Sequence, residues 1–423
     1  MKLLYISSFT IWLSLLFGVD NTEKSPVITE DKSTTEIISY QREVNPNKEA
    51  FIADFDAQAR KLLKRINQPG AAIAIVMDST VVYTEGYGYT NKKTKQKVNE
   101  NSVFRIGSLS KGFASILSGI LVHQDKLNFD DKVSSHFPDF KLCDKSCSDA
   151  LEVQHILSHS SGLPYHAYTD MVEKGRSMTM IKEKLGNLEL IGKPGEIYSY
   201  QNAAYSVIED VLEGATNKEY NELLSSEIFG PLGMHDASST REDIRSCDNV
   251  ALPHYHNKRG WRPSKISSKY YNATSAGGVN ASVSDMSKWL QLLLGQNDDI
   301  ISDQVLSEVF TPVVNAKNRK KYFQRWKGIK NAHYALGWRI LEKKDGEGDL
   351  VYHGGYVNQY RSEIAVNRKE NIAICVLSNA PTRFAAKSIP AFFDLYESYR
   401  EDIELWEEMN KPTKISNTEK EAS

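Results

Sequence analysis

The sequence predicts an α+β protein, an antiparallel sheet flanked by helices plus a mostly helical second lobe. Three observations carry this. Strand-like apolar runs lie near both ends, at Ala71–Met77 and Val81–Glu85 and again at Ser362–Val366 and Ile372–Leu377. Each pair is joined by a short polar stretch, Asp78-Ser79-Thr80 in one and Asn367–Asn371 in the other, which reads as a hairpin. Between the pairs, roughly Asp130–Asp299 is helix and loop. Hairpins at both ends with helices between them imply one sheet closed by the two termini.

Composition sets the outer limits. The chain has 423 residues; at ~100–200 residues per domain this is two to three domain-sized units or one large two-lobed fold. Hydrophobic residues make up 40% and charged residues 25%, enough apolar side chain to build a core. Lys+Arg (52) and Asp+Glu (54) leave a net charge of -2, which disfavours nucleic acid as a partner. Four cysteines rule out a disulfide-dense scaffold, and a mean hydropathy of -0.45 rules out a polytopic membrane protein.

Taken in order, residues 1–19 read as a secretory signal peptide. Lys2 gives a basic start and Leu3–Val19 is uncharged and mostly apolar. An uncleaved anchor helix is the rival, although the run is short and carries several hydroxyl residues. Export makes disulfides permissible. Cys143 and Cys147 either close a small ring or remain free thiols, and Cys375 reads as a buried strand residue. Residues 20–47 form a polar linker ahead of a main domain expected over 48–395. Glu49–Ile66 is helical by period, with Phe51, Phe55, Ala59, Leu62 and Ile66 recurring every three to four residues until Pro69-Gly70 stops it. The basic, aromatic stretch Lys317–Lys330 reads as a solvated insertion near a cleft, where Tyr322 or Trp326 would line a substrate channel. Residues 396–423 read as an acidic docking helix followed by a disordered tail.

The sharpest chemical signal is Phe104-Arg105-Ile106-Gly107-Ser108-Leu109-Ser110-Lys111, followed at once by the helical period Phe113, Ile116, Leu117, Ile120, Leu121. Ser108 therefore sits near a helix N-terminus, with Lys111 on the same face; side chains at i and i+3 lie about 5–6 Å apart at Cβ. That spacing lets an amine serve as base for a hydroxyl, and the helix N-terminus favours a developing oxyanion. Bringing a lysine from ~10.4 to ~7 costs about 4–5 kcal/mol, which burial beside other cations can supply. Ser-x-x-Lys alone is weak, because chance yields a match or two in a serine-rich chain, and a capping serine with an exposed lysine is the plain alternative.

In this setting Ser108-x-x-Lys111 resembles the first motif of the serine β-lactamase and penicillin-binding-protein superfamily, and its surroundings resemble the class C branch, which also holds D-peptidases and esterases. Leu157-Ser158-His159-Ser160-Ser161-Gly162-Leu163-Pro164 resembles a further segment of that branch. Lys193-Pro194-Gly195 with Tyr200-Gln201-Asn202 resembles the second motif, and Pro231–Met234, Ala276-Gly277-Gly278 and Leu336-Gly337-Trp338 also fit. His353-Gly354-Gly355 stands where most members carry Lys-Thr-Gly. Tyr-x-Asn also occurs at Tyr89, Tyr255, Tyr270 and Tyr356, so order alone selects Tyr200. The resemblance spans about Phe51–Leu395.

What the resemblance implies is specific. Ser108 is the nucleophile, Lys111 and Tyr200 are the bases, and Asn202 holds Lys111 and the substrate amide. His353, Gly354, Gly355 and Tyr356 line the substrate, with the N–H groups of Ser108 and Tyr356 as an oxyanion hole. A histidine is charged only near or below ~6.5, so His353 weakens the case for a dedicated β-lactamase, and Arg361 is a candidate for the missing charge. His159 is expected to be structural rather than part of a Ser/His triad. The expected protein is an exported, periplasmic or extracellular serine hydrolase acting through an acyl-enzyme, either a class C-like β-lactamase or a D-alanyl-D-alanine carboxypeptidase/D-peptidase. A carboxylesterase and a non-catalytic cell-wall-fragment binder are the alternatives. No metal or organic cofactor is expected. The expected partner is a β-lactam, a D-amino-acid peptide or an ester, with no nucleic acid and no stable membrane span once the leader is cleaved.

Overall fold

The N-terminal helix forms where the apolar period predicts it. A computed structural model describes residues 45–316, 326–346 and 348–411, and its first helix, α1, is Pro46–Arg65. Asn45 caps it by accepting the Asn47 N–H at 3.0 Å, Pro46 occupies the first turn, and Lys64 and Arg65 face the carbonyl end. Phe51, Phe55, Ala59 and Leu62 form its buried stripe.

The strands that follow build one nine-stranded antiparallel sheet. β1 (Gly70–Met77), β2 (Thr80–Asn91) and β3 (Gln96–Lys97) come from the N-terminal side. β4 (Val314–Asn315), β5 (Ile329–Tyr334), β6 (Arg339–Lys343), β7 (Leu350–Val357), β8 (Tyr360–Asn367) and β9 (Ile372–Ser378) come from the C-terminal side. Their order is β3-β2-β1-β9-β8-β7-β6-β5-β4. The two sides meet where β1 pairs with β9, from Ala71 opposite Ser378 to Met77 opposite Ile372. The sheet is thus closed by the two termini, as the hairpins imply. β2 runs well past the expected Val81–Glu85, and β5 and β6 carry no clear alternation in sequence.

Every residue of β1 is buried, because both faces of the sheet are covered. Successive side chains alternate between them. Ile73 and Ile75 meet α1 and the last helix, Phe384–Met409, together with Ile374, Tyr352 and Phe392. Ala72, Ala74 and Val76 face the helical part of the chain. There α2 (Ser110–His123), α3 (Val207–Thr216) and α4 (Val283–Leu293) are the main helices, and the Phe113 ring stacks on Trp289 at 3.9 Å. The last helix is α5. The described residues belong to one compact unit, and none of their helices is long and apolar enough to cross a membrane.

One sequence expectation is corrected, one boundary moves, and one open alternative is resolved. Trp326 lies over Tyr352, ring centroids 5.2 Å apart, within the apolar cluster beneath α1 and α5, so it is on the sheet face away from the cleft; Tyr322 lies outside the described residues. The acidic tail is the second half of α5, which begins at Phe384 and docks back on α1, with Asn45 Nδ2 donating to the Ile403 carbonyl at 3.1 Å. Cys143 and Cys147 are free thiols, one facing solvent and the other the core, because Asp144 caps a short helix, Lys145–Ala150, between them. Cys375 is buried in β9, as read. Residues 1–44 and 412–423, hence the leader, most of the linker and the tail, lie outside the described residues.

Candidate active site

The turn that presents Ser108 is pinned before it is shaped. Arg105, 1% exposed, donates to the carbonyls of Ser267, Lys269 and Gly277 at 3.2, 2.6 and 3.4 Å and stacks over Tyr271. Gly107 then adopts φ +54, a conformation that favours glycine, and a single 3-10 turn, Gly107–Leu109, leads into α2. Ser110 locks this turn: its hydroxyl donates to the Gly107 carbonyl at 2.7 Å and accepts the Val279 N–H at 3.0 Å. Ser108 is left partly exposed in the wall of a cavity of about 320 Å³.

Lys111, in the first turn of α2, is fully buried. Its ammonium donates to Asn202 Oδ1 and to the Ala276 carbonyl, both at 2.8 Å, and lies 4.9 Å from the Tyr200 ring centroid. Both acceptors are neutral. Burial, and then the charge of Arg339, push Lys111 well below the ordinary lysine value. The shift is toward the free amine, the form a general base requires.

The strand β7 passes close to the Ser108 turn. A side chain on Gly355 would fall 2.2 Å from the Ile106 carbonyl oxygen and 3.1 Å from the Ser108 nitrogen; one on Gly107 would fall 2.9 Å from the Tyr356 nitrogen. Glycine at both positions lets the two backbones approach, which brings the Ser108 and Tyr356 N–H groups to one place. Gly354, Gly355 and Tyr356 line the cavity with Ser108, Tyr200 and Asn202.

His353 does not sit among them. It is fully buried, and its Nδ1 donates to the Gly354 carbonyl at 3.0 Å while its Nε2 accepts from the Tyr334 hydroxyl at 3.1 Å. Burial, then Arg339 and Lys111, hold it well below the usual histidine range, so the ring is neutral. Its ring is packed between Tyr334 and Tyr200, 6.4 Å from the Tyr200 ring centroid, and does not line the cavity. Among the described residues, the cations that line the cavity are Arg361 and Arg339. Arg361 is bound to the buried Glu363 at 3.0 Å. Arg339 stands 5.5 Å from the Tyr200 ring centroid and 5.7 Å from that of Tyr334. Sequence reasoning missed Arg339, although it directly follows Leu336-Gly337-Trp338, whose Gly337 backbone packs against Ser115 and the Lys111 carbonyl.

Tyr270, which sequence order set aside as one Tyr-x-Asn among several, also lines the cavity. Its hydroxyl accepts from Asn202 Nδ2 at 3.0 Å and donates to Glu173 at 3.4 Å. His159 ends a short helix with φ +57 and is buried, its Nδ1 accepting the Gln201 N–H at 3.2 Å and its ring 4.2 Å from that of Tyr200. It shapes the wall behind Tyr200.

A family description, Beta-lactamase, matches residues 55–392. Protein flp of Staphylococcus aureus is 25% identical over 332 residues, 77% of this chain and 63% of its own length. Unguisins hydrolase ungD' of Aspergillus campestris is 25% identical over 339 residues, 77% of this chain and 61% of its own. The chain thus spans less than two thirds of the length of these curated relatives. Among solved structures, the octameric penicillin-binding protein homologue from Pyrococcus abyssi superposes with a TM-score of 0.68 at 23% identity, covering 83% of this chain and 80% of that one. SurE superposes at 0.66 and 18% identity, covering 84% and 76%. These two likenesses establish a shared fold.

Proposed function

The chain belongs to the β-lactamase family, and on that premise we propose that it is an exported serine hydrolase working through an acyl-enzyme on Ser108, with β-lactams or peptidoglycan-type D-amino-acid peptides as acyl donors. The observation that carries the reading is Lys111: a fully buried amine, on neutral acceptors, in the helix turn that follows Ser108. One relative is named as a hydrolase, which supports turnover rather than binding alone.

On this reading the steps run as acyl transfer. The Ser108 hydroxyl attacks the substrate carbonyl as its proton passes to Lys111, with Tyr200 beside it to share or relay that proton. The carbonyl oxygen, now negative, accepts from the Ser108 and Tyr356 N–H groups; one such donor is worth ~2.7–4 kcal/mol at the transition state. The leaving group takes the proton back as the bond to it breaks. Water, deprotonated by the same pair, then releases the acyl group and restores the serine. Arg339 and Arg361 in the cavity wall suit a substrate that carries a carboxylate, a role the neutral His353 does not fill.

The histidine at position 353, where most members carry lysine, favours a second reading, a carboxylesterase of the same family. Intact-protein mass over time with excess penicillin, for wild type and Ser108→Ala, tests the proposal. A persistent adduct on wild type alone means a penicillin-binding peptidase, and antibiotic consumption with a fleeting adduct means a β-lactamase. Neither adduct nor consumption, with hydrolysis of simple esters, moves the assignment to the esterase. No Ser108-dependent turnover of any acyl donor leaves a binding protein.

A further inference from the structure

Glu209, on α3, has no part in the steps above, yet its carboxylate meets the segment that holds Lys111. Its Oε1 accepts the Ser275 backbone N–H at 2.7 Å and the Ser275 hydroxyl at 2.6 Å. Ser275 is fully buried in the short helix Thr274–Gly277. The next residue, Ala276, supplies one of the two acceptors of the Lys111 ammonium. Val279, three residues on, is tied to the nucleophile turn at both of its backbone groups: its N–H donates to Ser110 Oγ at 3.0 Å and its carbonyl accepts the Ile106 N–H at 3.1 Å. The segment is therefore fastened to the Ser108 turn at one end and to Glu209 at the other, with the Lys111 acceptor between the two.

We propose that Glu209 is a positioning residue for Lys111, acting through Ser275 to hold the Ala276 carbonyl in place. Its catalytic consequence rests on the hydrolase reading; its effect on Lys111 does not. Two donors of one residue converge on one carboxylate oxygen, which fixes both the backbone and the side chain of Ser275. Such bonds are about twice as strong to an ionised acceptor as to a neutral one. If the Ala276 carbonyl moved, the buried Lys111 would be left with Asn202 as its hydrogen-bonded acceptor and would lose its aim; a misplacement of about 1 Å costs on the order of 10²-fold in rate.

The groups facing Glu209 come from several elements. They are Ser275 opposite it, Lys182 of the helix Met178–Leu185, Tyr220 of the helix Tyr220–Leu223, and Asp210 on its own helix, itself bound to Lys182. The residue as a whole is only partly buried, but its carboxyl is crowded by protein. That desolvation pushes it up to about 7 against the Ser275 bonds and Lys182, with Asp210 adding to the rise. The ionised, stronger acceptor therefore gains population as pH rises through neutrality, and the hold on Lys111 tightens with it.

The test uses the full chain as wild type, Glu209→Ala, Glu209→Gln and Ser275→Ala, with two readouts. The first is kcat and KM on a chromogenic β-lactam or ester across roughly pH 5 to 9. Glu209→Ala is expected to lower kcat about 10- to 100-fold with KM little changed. Glu209→Gln keeps an acceptor and is expected to recover most of that loss while erasing the inflection near neutrality. The second readout needs no turnover: NMR titration of ¹³Cε-labelled lysine, with the Lys111 signal identified by its loss in Lys111→Met. Here the Lys111 titration is expected to shift in Glu209→Ala and to return toward wild type in Glu209→Gln. If wild type hydrolyses nothing but this shift is seen, the hydrolase reading fails and the positioning role stands. A folded Glu209→Ala with wild-type kcat and an unmoved Lys111 titration overturns the proposal. Should Glu209→Ala not fold, Ser275→Ala removes one of the two bonds and carries the same comparison.

Discussion

On the sheet face covered by α1 and α5, the buried side chains are Phe51, Phe55, Ile73, Ile75, Ile374, Phe392 and their apolar neighbours. On the opposite face the same sheet buries Lys111, His159, Asn202, Ser275 and His353 beside an equally apolar cluster. The first face is held mainly by area and shape. Phe392 packs against Phe51 and Phe55 with ring centroids 5.3 and 5.2 Å apart, and any apolar residues of the right volume would serve nearly as well. The second face buries polar groups, each of which is costly unless paired. Its partners arrive from far along the chain: Asn202 and Ala276 for Lys111, and Tyr334 for His353. The contrast teaches that one layer supplies stability with tolerance, while the other spends some of that stability on groups held in fixed directions.

If that division is right, substitutions on the two faces should separate chemistry from stability. The largest expected effect is Ser108→Ala, which should cut turnover by ~10⁴-fold or more with an unchanged melting temperature, measured by steady-state kinetics and thermal denaturation. Lys111→Met comes next, at about 10²- to 10⁴-fold in kcat, and it should stabilise the fold. The sign follows from a depressed native pKa. Below the ordinary lysine value the unfolded chain holds a proton that the buried site resists, so wild type loses stability as pH falls. The gain in melting temperature from Lys111→Met should thus be larger at pH ~6 than at pH ~10; a gain independent of pH would break the comparison.

Gly355→Ala should cost on the order of 10²-fold in kcat together with about 1–3 kcal/mol of stability. Its methyl would fall 2.2 Å from the Ile106 carbonyl oxygen and from Ser362 Oγ, so β7 must shift away from the oxyanion site. The smallest effect on chemistry belongs to the far face. Phe392→Ala should lose about 3–5 kcal/mol in denaturant unfolding, while kcat per folded molecule stays at the wild-type value. A fall in kcat there would mean that the terminal-helix layer also tunes the cleft.

Much of this was legible in the linear chain. The α1 period, the two hairpins and their closure into one sheet follow from apolar repeats, and Ser108 with Lys111 follows from a spacing that a helix turn converts directly into proximity. Tyr270 was not legible, because its local pattern is the same as that of Tyr200 and the chain offers several such pairs. Arg339 was not legible because an arginine on a half-buried strand looks the same whether it faces solvent or a cleft. Trp326 was misplaced for a related reason. An aromatic residue in a basic stretch suits either face of the sheet, and only the fold put it beneath α5.

The sequence by itself determined α1, the two hairpins, the class of fold and the candidate serine with its neighbouring amine, because the local patterns behind them involve residues within a turn or two of one another. The tertiary structure alone decided that His353 is buried off the cavity wall, that Arg339 joins Arg361 in the cleft, and that the Glu209 carboxylate binds Ser275 beside an acceptor of Lys111. Each of these depends on burial and on partners distant in sequence. Desolvation, which sets whether a buried group keeps its charge, belongs to the packed molecule and to no local stretch of it.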